Sequence, residues 1–368
     1  MPEDRTLDPA GALGESARSH PEYGPNSGVT REGMSTAAGH LSYLTAGPES
    51  GPLVVLVHGW PAPALTWKPQ IDALSAAGFR VAAPDLRGYG GSFKPDNSDA
   101  YAQRHLVGDM RSLIEHLGYE SAIWVGHDWG SATVWALAAH HPELCQAVAS
   151  AVVTYRSLER GYTEMLDLVD RDLYPEATMP YAQFDYMAYY EQNAAEVTSL
   201  FDRHVEQMVR LLYRRGEAAA IGQPAFTAFI TAAGGWFGDD AVLDVPRDVE
   251  VLDDDLYRQV VDSLSAGGFA GPTSYYLNHD DNRQYSDESV NGGGLTMPTL
   301  FVEAQLDPIA ALTNTRLAEQ MRSHCTDLVE VSISAGHWVA LEASEEFNTA
   351  LLGWLGDHHL SPNTASAR

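Results

Sequence analysis

The sequence predicts an α/β fold, a mostly parallel sheet with flanking helices, interrupted by a helical insertion. Three observations predict it. Short apolar runs bounded by turn residues, such as Leu53–Val57 ahead of His58-Gly59, suit strands buried on both faces. Strand-like and helix-like segments then alternate to about residue 141 at the spacing of βαβ units. The alternation fails between about Tyr155 and Ser289 and returns afterwards, so one domain carrying an insertion is simpler than two domains in tandem.

Taken in order, residues 1 to about 27 are rich in Pro, Gly, Ser, Asp and Glu with little apolar period, and 1–37 is read as an N-terminal extension. His40–Ala46 and Leu53–Val57 read as strands. An amphipathic stretch at 66–77 precedes a strand at 79–83 ending in Pro84-Asp85, and a helix over 101–117 leads to a strand at 122–125. That strand runs into Gly126-His-Asp-Trp-Gly130 and a helix rich in Ala and Trp. Residues 158–230 read as helices, with another at 253–266. Strands return at 299–302 and 328–332, and a helix at 345–355 closes the pattern. The expected division is core over 38–154 and 290–358, helical cap over 155–289, and a C-terminal tail over 359–368.

Composition narrows the function. The chain has 368 residues, 45% hydrophobic and 20% charged, which suffices for a large core. Twenty-two Lys and Arg against 50 Asp and Glu leave a net charge of −28 and a pI near 4.6. Such a surface repels nucleic-acid phosphates and anionic lipid, so neither is an expected partner. Two cysteines, Cys145 and Cys325, make no disulfide framework or CxxC metal site and are expected as buried free thiols. No secretory h-region and no run of 18 apolar residues is present, so the expectation is a cytoplasmic protein.

The most informative segment is Gly126-His-Asp-Trp-Gly130. A strand entering G-x-nucleophile-x-G and then a helix describes a sharp turn that lifts one side chain above the sheet. Here that side chain is Asp128. A carboxylate attacking a saturated carbon gives an alkyl ester whose carbonyl belongs to the enzyme and is open to water. The pattern therefore points to epoxide opening or carbon–halogen cleavage. The bland alternative is an Asp that only caps the following helix.

With those residues in view, the chain resembles the α/β-hydrolase fold and, within it, the soluble, cap-bearing epoxide hydrolases. His58-Gly-Trp-Pro61 is similar to their HG(F/W)P loop, Asp85-Leu-Arg-Gly-Tyr-Gly-Gly-Ser92 to their DxRGxGxS loop, and Gly126-His-Asp-Trp-Gly-Ser131 to their nucleophile turn. The likeness covers roughly residues 38–357. It implies a base, His337 in Ser334-Ala-Gly-His-Trp338, and an acid, Asp307, with Glu303 as an internal competitor. It implies that His58 and His127 are structural. Backbone N–H groups of Trp60 and Trp129 should face the ester carbonyl oxygen.

The leaving group separates the two chemistries. An opening epoxide makes an alkoxide, for which the resemblance implies two cap tyrosines. Phe184-Asp-Tyr-Met-Ala-Tyr-Tyr190 and Gly268-Phe-Ala-Gly-Pro-Thr-Ser-Tyr-Tyr276 place them at Tyr186 and Tyr276, with Tyr189, Tyr190 and Tyr275 as neighbours open to misregister. Phe184, Met187 and Trp338 are expected in the substrate pocket. A haloalkane dehalogenase with Trp129 as halide donor is the alternative enzyme. It is disfavoured by Trp60, which stands where that family usually places Asn. A non-catalytic ligand-binding relative is the alternative of another class. The partners expected are a small epoxide and water. No cofactor is expected, and His and acidic residues show no ligand spacing for a metal.

Overall fold

The structure, a computed structural model, describes residues 28–237 and 244–362. Most of the expected N-terminal extension and the end of the C-terminal tail lie outside those residues. Eight strands form one sheet: β1 (Thr30–Ser35), β2 (His40–Ala46), β3 (Leu53–Val57), β4 (Arg80–Pro84), β5 (Ala122–His127), β6 (Cys145–Ala151), β7 (Thr299–Ala304) and β8 (Leu328–Ile333). Their order is β1-β2-β4-β3-β5-β6-β7-β8. β1 and β2 run antiparallel to their neighbours and the other pairs are parallel.

The centre of the sheet is where the sequence is most apolar. All five residues of β3 are fully buried, with β4 on one side and β5 on the other. Helices α1 (Lys68–Ala76), α2 (Gln103–Leu117) and α3 (Trp129–His140) follow β3, β4 and β5. α3 is apolar all round and buried along nearly its whole length, which fits a helix packed on both sides. Cys145 and Cys325 are buried free thiols. Among the described residues, no helix is long and apolar enough to cross a membrane.

Two elements depart from the sequence reading. β1 lies inside the segment assigned to the extension. As an edge strand it buries only Met34, so its sequence lacks a core-facing period. It is anchored by pairing along β2 and by Arg31, whose guanidinium donates to the buried Asp85 carboxylate. The second departure is the stretch from 158 to 184, expected as helix. It forms only short 3-10 turns, at Leu158–Arg160, Tyr162–Met165 and Ala182–Phe184. Backbone carbonyls there need partners other than a helical ladder. Arg171 supplies them, donating to the carbonyls of Leu166, Tyr174, Met179 and Pro180. Regular helix begins with α4 (Asp185–Arg203) and α5 (Val205–Leu212), and Asp254–Gly267 is helical as expected.

Candidate active site

The site begins where β5 ends. Asp128 sits between β5 and α3 with φ 52° and ψ −123°, a conformation costing a non-glycine residue roughly 1–3 kcal/mol. Two glycines permit the turn. A Cβ on Gly130 would overlap the carbonyl oxygen of Val57, and one on Gly126 would stand 2.6 Å from the Gly130 carbonyl oxygen. Asp128 is the N-cap residue of α3 but makes no side-chain cap into its first turn. Its Oδ1 instead accepts the Trp60 N–H at 2.6 Å. Burial pushes the Asp128 carboxyl above the ordinary carboxylate range, opposed by His337 and by the Trp60 and Trp129 N–H groups.

His337 comes from the loop after β8 and Asp307 from the loop after β7. His337 Nδ1 lies 2.7 Å from Asp307 Oδ2, and Nε2 lies 3.8 Å from Asp128 Oδ2. A carboxylate facing Nδ1 fixes the proton there and leaves the Nε2 lone pair toward Asp128. Burial pulls His337 down, but the charge and hydrogen bond of Asp307, with the charge of Asp128, leave it above its ordinary value. Asp307 is completely buried. Burial raises it, yet His337 and the N–H groups of Ile309 and Ala310 hold it below the usual carboxylate range. Glu303, the competitor, accepts from the Ser332 hydroxyl at 2.5 Å and is not paired with His337.

The two other histidines brace the loops. His58 Nδ1 meets the Gly59 carbonyl at 3.0 Å and Nε2 accepts the Leu86 N–H at 2.9 Å, while burial holds the ring neutral with a pKa of about 4. His127 Nε2 lies 2.7 Å from the His337 carbonyl oxygen, fixing the backbone of the residue expected to be the base.

A cavity of about 300 Å³ opens over Asp128. Asp128, Asp307 and His337 line it from the sheet side, and Phe184, Tyr186, Met187 and Tyr276 from the insertion. Trp338, also expected in the pocket, lines it too, as does Trp60, expected only as a backbone donor. Trp338 is fixed by a stack on Tyr213 at 3.9 Å and by its indole N–H on the Leu212 carbonyl at 2.7 Å. The Trp129 side chain is not in the wall; it packs against Tyr275, Tyr276 and His279.

The candidate tyrosines differ in whether they reach this wall. Tyr186 and Tyr276 line the cavity with ring centroids 5.7 Å apart. Tyr275 turns away to donate to the Arg87 carbonyl at 2.9 Å, and Tyr189 donates to the Gly234 carbonyl at 3.3 Å. Tyr190 is fully buried behind Tyr276 and does not reach the cavity. Burial first, and then the Asp128 charge, keeps the Tyr186 phenol well above its ordinary pKa. Tyr276 is raised by burial, then by Tyr186 and Asp128. Both phenols therefore hold their protons.

The family profile for the alpha/beta hydrolase fold matches residues 52–344. The chain belongs to that family. Epoxide hydrolase A of Mycobacterium tuberculosis (strain ATCC 25618 / H37Rv) is 31% identical to this hydrolase over 321 residues, covering 86% of this chain and 94% of that protein. Epoxide hydrolase B of the same strain is 29% identical over 336 residues, covering 84% and 92%. Among solved structures, Epoxide Hydrolase A from Mycobacterium thermoresistibile superposes with a TM-score of 0.71 at 28% identity, over 89% of this chain and 98% of that one. An epoxide hydrolase from an endophytic Streptomyces gives 0.72 at 25% identity, over 89% and 96%.

The hydrolase also has a wall residue that sequence reasoning missed. Trp236 lines the cavity, with ring centroids 6.1 Å from Tyr186 and 6.4 Å from Trp60. A signal was available, since Trp236 is the only tryptophan between residues 155 and 289. Among the described residues, no group of three or more His, Cys, Asp or Glu is placed to hold a metal ion.

Proposed function

We propose that this hydrolase adds water to an epoxide to give a vicinal diol through a covalent ester on Asp128, with residues 155–289 acting as the cap. One arrangement carries the reading. A carboxylate seated on a backbone N–H, a His–Asp pair beside it and two protonated phenols all face a single cavity. The relatives named epoxide hydrolase, aligned over most of the chain, support the same chemistry.

On this reading each atom has a task. Oδ1 of Asp128 is held by the Trp60 N–H, so Oδ2 is the oxygen free to attack a ring carbon. The C–O bond of the ring breaks as the Oδ2–carbon bond forms. Tyr186 and Tyr276 hydrogen-bond the departing oxygen, and one of them gives it a proton. Oδ1 is then the ester carbonyl oxygen, already on the Trp60 N–H, which together with the Trp129 N–H stabilises it when water adds. His337 Nε2 takes the proton from that water, and the imidazolium that results is stabilised by Asp307. Collapse releases the diol: the imidazolium gives up its proton and the added hydroxyl gives up its own, one going to the departing alkoxide and one to the tyrosinate, which restores the carboxylate, the neutral imidazole and the phenol.

The test is turnover of a styrene-oxide-like epoxide beside a bromoalkane. Diol from the epoxide without bromide release supports the reading. Bromide release without diol favours the dehalogenase, although the Trp129 indole expected to serve it lies outside the cavity wall. Turnover of neither leaves a ligand-binding protein.

A further inference from the structure

A second, smaller depression of about 70 Å³ adjoins the main cavity; Ala220 and Pro308 line both. Its floor is Gln183, 2% exposed, the residue before the wall residue Phe184. The preceding Ala182 has φ 49°, a left-handed conformation that favours glycine, and Gln183 and Phe184 face the two different cavities. Gln183 Nε2 donates to the Ile309 carbonyl at 3.4 Å, which fixes the amide orientation and leaves Oε1 buried with no partner. A buried acceptor without a donor costs about 1–3 kcal/mol, so something is expected to fill it. Tyr174 lines the same depression. Its hydroxyl accepts the Ala225 N–H at 3.0 Å, and among the described residues its own proton goes to no acceptor.

We propose that this depression is a distal subsite that takes a neutral hydroxyl group on the longer arm of the substrate, reached across the Ala220–Pro308 seam from the main cavity. The proposal rests on the epoxide hydrolase reading and extends it to a substrate class. A hydroxyl both donates and accepts, matching Gln183 Oε1 and the Tyr174 proton together. No Lys, Arg or His lines the depression while Asp170 does, so a carboxylate end finds no partner there. The volume suits a hydroxymethyl-sized end, about twice the roughly 30 Å³ that one water occupies in the liquid.

The experiment compares terminal epoxides of increasing chain length, each as a plain alkyl and as an ω-hydroxyl member, with an ω-carboxylate as control. At one chain length the hydroxyl should raise kcat/KM by about 2–12-fold, mainly through KM, the range expected for one net hydrogen bond. The carboxylate should give no gain. Gln183→Leu should bring the ratio of hydroxylated to plain substrate to near one. Ala220→Val, which narrows the seam and leaves Gln183 intact, should do the same and carries the test if the first variant misfolds. Equal kcat/KM for both members at every length, a larger gain from the carboxylate, or a gain that survives both substitutions would overturn the subsite. Diol from no member of the series would instead overturn the underlying reading.

Discussion

Replacing His337 by Gln separates the two chemical steps. Glutamine has similar reach but no basic lone pair, so the group that stands 3.8 Å from Asp128 Oδ2 can no longer take a proton from water. General-base assistance is typically worth about 10²–10⁴-fold, or about 3–5 kcal/mol of barrier at 1.36 kcal/mol per factor of ten. That loss falls on ester hydrolysis, because attack by Oδ2 needs no base. One side effect follows from the structure. The imidazolium lowers the Asp128 pKa, so its removal leaves the buried carboxyl harder to ionise, and the variant should be alkylated at mildly alkaline pH. Under excess epoxide, intact-mass spectrometry should show the protein heavier by one whole substrate, and digestion should place the adduct on the peptide containing Asp128. Asp307→Asn should trap less completely, since the imidazole remains but its tautomer is no longer enforced. A folded His337→Gln protein that gains no mass, or carries the adduct on Ser131 or a histidine, refutes the ester mechanism.

Three further outcomes are expected. Tyr186→Phe or Tyr276→Phe alone should slow ring opening by about 10²–10³-fold, by analogy with oxyanion donors, and the double change should leave neither diol nor adduct; an active double variant would reject the tyrosine roles. The acid limb of the kcat profile, which contains ester hydrolysis, should move downward in Asp307→Asn, because the charge and hydrogen bond of Asp307 raise His337 and the base must be neutral to act; a limb that stays in place in that variant would place the titrating group elsewhere. Asp128→Asn should abolish diol formation yet melt at or above the wild-type temperature. A carboxyl with a raised folded pKa weakens the fold at neutral pH, where it must be charged, and the amide keeps the acceptor for Trp60 without that charge. A melting point several degrees lower by calorimetry would contradict this.

What the sequence disclosed and what it hid follow from burial. β3 was legible because both its faces are covered, which leaves a continuous apolar run, and the Asp128 turn because only glycine fits beside Val57. β1 was not, since an edge strand with one buried residue carries no period. The residues proposed for catalysis converge on one cavity, as loops after β5, β7 and β8 dictate. Trp236 and Gln183 escaped notice because their significance depends on which wall each faces, and that is a property of the packed insertion rather than of local spacing.

The way Arg171 supports residues 158–184 has an evolutionary corollary. A carbonyl is the same on every residue, so an anchor that grips only carbonyls is indifferent to the side chains it holds in place. Leu158, Met165 and Phe184, which shape one flank of the cavity, lie at or beside the stretch that Arg171 grips. Loss of that guanidinium would free four carbonyls between Leu166 and Pro180 at once, whereas substitution of any one of the residues that carry them leaves the grip intact.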